Sequence, residues 1–301
     1  MMKKDSPQDD RLEYYRKLND EEKKLREFKD DDQALRLKLL QLAIINKSRK
    51  KFKAAPVELD ILASRVANKA CREAAENKYI SHWNLAGEKP YIRYGLAGGC
   101  DHVSENVYGE WTTGGYNISP SVISDLMNKG HSSFMAEHAP DNGHKKNVID
   151  KQHNFVGIGF FITRDQFRYN EEFINRYLNF ERIPAGLKVN EVGDIAFKSR
   201  DENFPYYLII FREPFPTPLR PSQLNRKGSY PDYTDQKYEE MPAWDIEHLK
   251  SGDTYHIPLK FKTAGLYYIQ IFTSCDEITS PKKLNTKGKT VSSGIVIRVD
   301  K

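Results

Sequence analysis

The spacing of apolar side chains divides the chain into a helical first part and a strand-rich second part. Leu18, Leu25 and Leu39 lie seven or fourteen residues apart, which predicts one long helix through the first segment. Apolar and alanine side chains at helical spacing from Leu59 to Ala75 predict a second helix. Alanine at such positions permits close packing of that helix against a neighbouring element.

The middle of the chain combines predicted strands with a further helix. Strands are predicted over residues 103–108, 155–162 and 173–180, and a helix over 121–138 that ends before Pro140. The second of these strands contains glycines, which indicates that another element packs closely on it.

After about residue 183 the pattern predicts strands alone. The predicted strands cover residues 192–198, 206–212, 254–262, 266–274 and 294–299. Ala264 and Gly265 predict a hairpin turn between two of them. Seven of the 15 prolines lie between Pro205 and Pro242, most of them in one long loop. An all-β sandwich of immunoglobulin-like size fits this pattern.

The fold class expected from these elements is α+β. We expect a charged helical N-terminal arm over residues 1–33, a mixed helix-and-strand domain over 34–182 and a β-sandwich domain over 183–301, with the Pro-rich loop at about 212–243. The arm has 20 charged side chains and cannot bury a core by itself, so we expect it to lie on a partner or on the chain's own domains. A loop as long as the Pro-rich one is usually a functional or docking element.

The positive charge of the chain is local. The net charge is +5, yet residues 1–33 carry nine basic and eleven acidic side chains, and residues 56–301 carry 31 of each. The excess lies in residues 34–55, which have seven basic side chains and no acidic one. Because most of the chain offers no positive potential to a polyanion, the composition argues against a nucleic-acid-binding protein.

Several further features bear on location. The N-terminus lacks the apolar stretch of a secretory signal, and no segment approaches the roughly 20 apolar residues of a membrane span. The three cysteines, Cys71, Cys100 and Cys275, are widely spaced and form no CxxC pair. We therefore expect a cytoplasmic or other intracellular location, including a cytoskeletal or ciliary one, and no transmembrane segment. Secretion is expected only if a leader has been removed.

The histidines cluster within one part of the chain. Six of the eight lie in residues 82–153, which marks a candidate site because histidine is the commonest metal ligand. Short blocks of sequence accompany them in a definite order: Asn46 and Arg49, Ser81-His82, Ser104-Glu105-Asn106-Val107-Tyr108, Met135-Ala136-Glu137, Gly143-His144-Lys145-Lys146-Asn147-Val148-Ile149 and Val156-Gly157-Ile158-Gly159. This order resembles the CAP superfamily (cysteine-rich secretory, antigen 5, pathogenesis-related 1), also called SCP-like domains, in its disulfide-free bacterial form. The resemblance covers about residues 34–182.

The resemblance implies an α-β-α sandwich with a central cleft lined by two histidines and two acidic residues. By position these are His82, Glu105, Glu137 and His144, although the assignment of Glu137 stays open because His138 lies beside it. Such a set can hold Zn²⁺ or another divalent cation. Without metal, the carboxylates favour protonated imidazoles, and the cleft is then a pH-sensitive network of ion pairs.

A second candidate site is the basic run near the end of the first helical segment. It consists of Lys47, Arg49, Lys50, Lys51 and Lys53. The run is interpreted either as the solvated end of a helix or as a contact for anionic lipid or an acidic protein surface. Protein partners are expected at the N-terminal helix and the Pro-rich loop.

The remaining histidines and the lack of a nucleophile motif shape the functional expectation. His102, His131 and His153 are expected to be structural or solvated, and no serine or cysteine stands in a recognisable catalytic motif. The preferred hypothesis is an intracellular, non-enzymatic CAP-domain binding or scaffold protein in a larger cytoskeletal or membrane-associated assembly. The alternatives are a metal-dependent hydrolase or protease using the His/Glu cleft, and lipid or sterol binding.

Overall fold

A computed structural model describes residues 7–200, 202–230, 237–275 and 286–301 of the chain. The helices are α1 (Pro7–Glu21), a 3-10 turn (Arg26–Phe28), α2 (Asp32–Lys51), α3 (Ile61–Glu76), α4 (Pro90–Leu96), α5 (Pro120–Met135), α6 (Gly143–Ile149), α7 (Pro221–Leu224) and α8 (Ala243–Glu247). The strands are β1 (Glu58–Leu59), β2 (His102–Trp111), β3 (Phe155–Ile162), β4 (Gln166–Asn175), β5 (Leu178–Arg182), β6 (Leu187–Lys188), β7 (Val192–Ser199), β8 (Phe204–Glu213), β9 (Lys237–Pro242), β10 (Lys250–Ser251), β11 (Thr254–Lys260), β12 (Gly265–Ser274), β13 (Thr290–Val291) and β14 (Ile295–Asp300). This mixture of helices and sheets confirms the predicted α+β class.

The chain divides into two compact units. The first comprises Met1–Gly87, Ser104–Phe173 and Pro218–Gly228, and the second comprises Glu88–Val103, Ile174–Thr217 and Ser229–Lys301. Neither unit is continuous in sequence. The boundaries expected after residues 33 and 182 therefore stay predictions.

The prediction of one long N-terminal helix is wrong. Helix α1 ends at Glu21 and α2 begins at Asp32. Between them Leu25 has a φ of 49°, a left-handed conformation that interrupts a helix. Asp31 then starts α2, because its carboxylate accepts a main-chain N–H of the first turn at 2.7 Å. No glycine or proline lies in this interval, and Asp31 is the sequence marker of the new helix start.

The N-terminal arm packs within the first unit. Leu12 and Tyr15 are each 3% exposed and belong to the same core as β3 and β4. The guanidinium of Arg65 in α3 donates to three main-chain carbonyls near the end of the arm, at 2.5–3.1 Å. The apolar side of α1 is therefore covered by the chain itself.

The first unit is built on a four-stranded sheet with the strand order β1-β3-β4-β2. Alternate side chains of a strand face opposite sides of a sheet, and Val156 and Ile158 accordingly join one core with α2, α5 and α6. The glycines between and after them face α3. A Cβ at Gly159 would lie 2.3 Å from the main-chain carbon of Ala67, so α3 rests directly on the backbone of β3. Helices thus cover both faces of the sheet, in α-β-α order.

The second unit places two sheets around one core. Their strand orders are β10-β11-β7-β5 and β6-β14-β12-β8-β9, with β13 beside β12. Ile195 and Ile257 of the first sheet share a core with Ile210 and Ile269 of the second, and each of the four is at most 2% exposed. This is a sandwich of two sheets, as expected. Its likeness to an immunoglobulin domain stays a prediction.

Two predictions about the strands are wrong. Ala264 and Gly265 do not form a hairpin turn, because β11 pairs with β7 whereas β12 pairs with β8 and β14. The turn connects the two sheets. The strand predicted over residues 173–180 is divided in the structure, since β4 ends at Asn175 and β5 begins at Leu178 and pairs with β7.

The structure also contains helices that were not predicted. Helix α8 lies in the segment where only strands were expected, and its Ile246 side chain is fully buried. Helices α4 and α6 occupy segments for which no helix was predicted. Each is only seven residues long, and such short segments show too few turns for a helical period to stand out.

Candidate functional site

The first half of the candidate site joins the loop after α3 to strand β2. His82 lies in that loop, and its Nδ1 is 2.9 Å from Oε1 of Glu105 on β2. The other carboxylate oxygen of Glu105 accepts a hydrogen bond from Nδ2 of Asn170 on β4, at 2.9 Å. The Glu105 side chain is fully buried, whereas that of His82 is 15% exposed. A buried carboxylate thus holds a partly accessible imidazole.

The second half joins the ends of two consecutive helices. Glu137 follows the last turn of α5, and its Oε1 contacts Nδ1 of His144 at the start of α6. Its other oxygen accepts the main-chain N–H groups of His144 and Lys145, at 3.0 and 3.3 Å. The structure therefore pairs Glu137, not the exposed His138, with His144.

The two pairs lie beside each other. The ring centres of His82 and His144 are 6.3 Å apart, and their planes are inclined by 27°. The His144 ring also stacks on Phe134 of α5, with 4.9 Å between ring centres. All four side chains named from the sequence are thus brought to one place, with each imidazole turned toward its carboxylate through Nδ1.

Asparagines of the same sequence blocks hold the site together. Asn147 of α6 donates to Oδ1 of Asn106 on β2 at 2.9 Å, and Asn106 donates to the main-chain carbonyl of His144 at 3.1 Å. Ser104 donates to Oδ1 of Asn147 at 2.6 Å. These residues stand in the sequence blocks named above, where no role was predicted for them. Asn170 was missed altogether, because no motif surrounds it.

The donor set can be compared with the needs of a divalent cation. In each pair the carboxylate faces Nδ1, which is the arrangement that fixes the tautomer of a metal-binding imidazole and leaves Nε2 as the ligand. With Zn–N bonds of about 2.1 Å and about 1.1 Å from ring centre to nitrogen, two imidazoles on one ion have centres about 5.2 Å apart at the tetrahedral angle of zinc. The ring centres of His82 and His144 are 6.3 Å apart, so the two rings would have to approach each other by about 1 Å to share one ion.

Within the described part of the chain, the site offers two imidazole ligands, and no group of three or more His, Cys, Asp or Glu side chains is arranged to hold a metal ion. By its chemistry this donor set suits an open two-histidine site once the two rings have approached each other. The residues do not fit a closed structural zinc site, which takes four protein ligands.

A buried histidine network lies close by, outside the predicted site. Nε2 of His131 is 2.9 Å from Oγ of Ser48, and Nδ1 is 2.8 Å from Oε1 of Glu171. Tyr169 donates to the same carboxylate oxygen at 2.6 Å, and burial raises the pKa of this tyrosine, with the neighbouring Glu171 charge adding to the effect. Serine, imidazole and carboxylate stand in the order of an acyl-transfer triad.

Burial assigns this network a structural role. The side chain of His131 is 2% exposed and that of Glu171 is fully buried. A substrate would have to reach the imidazole and the hydroxyl together, and the covered ring prevents that. His153 is likewise buried, and its Nε2 lies 3.0 Å from Oδ1 of Asn147. His102 is buried on β2.

The basic run contains one residue that does not belong to a surface. Arg49 is fully buried, and its guanidinium donates to four main-chain carbonyls at 2.7–2.9 Å. Arg49 was predicted to contact an anionic surface. That prediction is wrong, because each of these hydrogen bonds lies inside the first unit and holds it together. Four lysines do lie exposed at the end of α2: Lys47, Lys50, Lys51 and Lys53. None of the described helices is long and apolar enough to span a bilayer.

Comparisons with known proteins give partial similarity to two solved structures. No protein-family model matches the chain, and no curated protein matches it. Among solved structures, an extracellular protein containing an SCP domain from Bacillus anthracis is similar with 17% identity and a TM-score of 0.34, over 46% of this chain and 40% of that one. An outer surface protein from Borrelia burgdorferi is similar with 19% identity and a TM-score of 0.37, over 46% of this chain and 92% of that one. The chain thus spans less than half of the Bacillus protein, and neither likeness carries an argument about activity or location.

Proposed function

We propose that this protein is a non-enzymatic, CAP-like binding protein whose His82 and His144 side chains hold a divalent cation. The observation that carries the proposal is that both carboxylates, Glu105 and Glu137, use both of their oxygens in contacts within the protein. Each one turns an imidazole through Nδ1 and uses its second oxygen to accept at least one further hydrogen bond. That is the role of an orienting carboxylate, which raises the basicity of the ligand it holds.

The same hydrogen bonds of the two carboxylates favour a cation-binding protein over a metal-dependent hydrolase. A hydrolase that uses metal-activated water also needs a group placed to move the proton of that water. Glu105 and Glu137, the acidic residues of the pairs, have their oxygens taken up by donors of the protein. A bound cation would act as a Lewis acid toward a ligand in the cleft. The protein residues would orient the two imidazoles without a positioned general base.

Calorimetric titration with Zn²⁺ tests the proposal. We expect the native protein to bind one ion, and His82→Ala or His144→Ala to abolish binding. His138→Ala is a matched control, because this exposed histidine lies one residue from Glu137 and does not pair with it. The zinc-loaded protein should leave peptide and ester substrates intact. Hydrolysis that disappears with His82→Ala would instead establish the metal-dependent hydrolase.

A second candidate function is contact with an anionic lipid surface. It is favoured by the exposed lysines at the end of α2 together with Phe52, an apolar side chain that is 41% exposed beside them. Each basic residue near an anionic membrane contributes about 1 kcal/mol, so neutralising Lys50 and Lys51 should weaken vesicle binding roughly 30-fold. Co-sedimentation with vesicles containing phosphatidylserine measures this. Binding that is equally strong to neutral vesicles, or unchanged in the double variant, would reject the candidate.

An intracellular scaffold role is part of the same proposal. No disulfide joins Cys71 and Cys275, which suits a reducing compartment. A partner could use only the outer side of the N-terminal arm, where Tyr14 is 54% exposed, because the inner side is in the core. Tyr14→Ser is therefore a sharper test than removal of residues 1–33. Loss of a co-purifying protein with Tyr14→Ser, at unchanged thermal stability, would support the role, and retention would oppose it.

A further inference from the structure

A short segment of the Pro-rich loop belongs to the first unit. The segment Pro218–Gly228, here called the strap, packs in that unit, whereas the residues before and after it belong to the second. Its helix α7 inserts Leu224, which is fully buried against Ala74 and Tyr79. Trp83 packs on the same cluster. The strap therefore lies against the loop that carries His82.

On the N-terminal side of His82, the strap holds the loop through one side chain. Oδ1 of Asn225 accepts the main-chain N–H of Ile80 at 2.9 Å, and its Nδ2 donates to the carbonyl of Lys78 at 3.4 Å. The loop has no regular secondary structure here, so its main-chain groups need such partners. Asn225 thus supplies to the loop what a neighbouring strand would otherwise supply.

On the C-terminal side, the strap makes two further contacts. The main-chain N–H of Leu219 donates to the carbonyl of Leu85 at 2.8 Å. The ammonium group of Lys227 lies 4.5 Å from the ring centre of Trp83, the residue after His82, in a cation–π contact. The contacts of the strap therefore fall on both sides of His82 within a few residues.

Helix α3 holds the same loop from its other side. Oε1 of Glu73 accepts the hydroxyl of Tyr79 and the main-chain N–H of Leu85, each at 2.7 Å. The loop is thus clamped between α3 and the strap. Glu105 fixes the ring rotation of His82 through Nδ1, whereas this clamp decides where the backbone of His82 lies relative to His144.

We propose that the strap positions His82 for the two-histidine site, with Leu224 and Asn225 as positioning residues. The inference rests on the proposed cation binding. It assigns to part of the Pro-rich loop a task in site assembly, performed by a segment that the chain inserts from the sequence of its second unit. Because the rings of His82 and His144 must approach each other to share one ion, a displacement of the loop away from His144 weakens the shared ligand geometry.

The experiment measures Zn²⁺ affinity and histidine side-chain ¹⁵N resonances in the full chain. Asn225→Ala removes only polar contacts, and we expect about tenfold weaker Zn²⁺ binding, in the range that orienting residues produce. Leu224→Ala should weaken Zn²⁺ binding further, whereas Leu224→Met, which keeps a large apolar side chain, should bind Zn²⁺ as the native protein does. Arg226→Ala is the matched control, since this neighbouring side chain is exposed. The His82 resonances should shift in the apo forms of both alanine variants.

Each outcome decides the proposal. His144 resonances serve as an internal reference, because a general loss of structure would move them together with those of His82. If Leu224→Ala does not fold, Asn225→Ala decides. Unchanged affinity and unchanged His82 resonances in Asn225→Ala would overturn the positioning role. A native protein that binds no divalent ion, with His82 resonances that still shift in Asn225→Ala, would reject the proposed function while keeping the strap as the support of His82.

Discussion

Replacing Glu105 by glutamine changes one atom at the centre of the site. The carboxylate accepts from two donors at 2.9 Å: Nδ1–H of His82 on one oxygen and the amide of Asn170 on the other. A carboxylate can satisfy both donors, because it is an acceptor at each oxygen. The amide of Glu105→Gln keeps the shape of the side chain and offers one acceptor and one donor instead.

Both orientations of the new amide disturb the site. With its NH₂ toward His82, Nδ1 must become an acceptor, and the imidazole proton moves to Nε2, the nitrogen that faces a metal. With its oxygen toward His82, its NH₂ opposes the amide NH₂ of Asn170 in a buried place, and the Asn170 amide must rotate to present its oxygen instead. The loss of an orienting partner costs about 10- to 100-fold in metal affinity, or about 1.4–2.8 kcal/mol.

Calorimetry with Zn²⁺ and ¹⁵N spectra of the histidine rings measure the two parts of this reasoning. We expect weaker binding together with a change in the His82 tautomer. Glu110→Gln is the control, because Glu110 lies on the same strand and also accepts side-chain hydrogen bonds, from Tyr108, Tyr116 and Lys129. Zinc affinity within twofold of the native value in Glu105→Gln, with an unchanged tautomer, would refute the orienting role.

Three further predictions concern stability. Arg49→Met should destabilise the protein by at least about 3 kcal/mol in urea unfolding, because it leaves four carbonyls without their donor and two of these hydrogen bonds are fully buried. Lys50→Met should stay within about 0.5 kcal/mol, and equal effects of the two variants would contradict the assigned role. Gly159→Ala should lower the free energy of unfolding by about 3 kcal/mol or more in calorimetry, because its Cβ would lie 2.3 Å from the backbone of α3. Gly143→Ala is the control: nothing lies within 4 Å of its new Cβ, so this variant should be neutral or slightly stabilising. Burial raises the pKa of Glu110, but its hydrogen bonds outweigh that effect and hold the pKa below its usual range. The stabilisation that ionised Glu110 supplies is complete above its unfolded pKa and is lost as the pH falls through its lower folded pKa. Urea unfolding midpoints measured between about pH 6 and about pH 3 should therefore fall less steeply in Glu110→Gln than in the native protein. An equally steep fall in both proteins would refute this.

The fold was predictable from sequence where side-chain alternation is strong. The apolar run at residues 155–162 became β3 with the predicted bounds, and its glycines did mark the close approach of α3. Alternation and turn signals also located five of the ten described strands of the second unit: β7, β8, β11, β12 and β14. They could not show which strands pair, because pairing depends on contacts between distant residues. The turn at Ala264 and Gly265 was therefore misread as a hairpin, although it connects two sheets.

The site was predictable to a different degree. The order of motifs named His82, Glu105, Glu137 and His144, and the structure brings these four side chains together. Asn170 could not be named, since it owes its role to the register of β4 beside β2. Arg49 was misassigned for a related reason: in the sequence it stands among exposed lysines, and only burial separates it from them.

Local sequence pattern by itself determined the α+β class, the approximate strands and the residue types available for a site. These follow from side-chain size, polarity and spacing, which act over a few neighbouring residues. Tertiary structure alone decided the burial of Arg49, the pairing of the strands and the return of the strap Pro218–Gly228 to the loop of His82. Each of these depends on hydrogen bonds and packing between residues far apart in the chain, and no local pattern records such contacts.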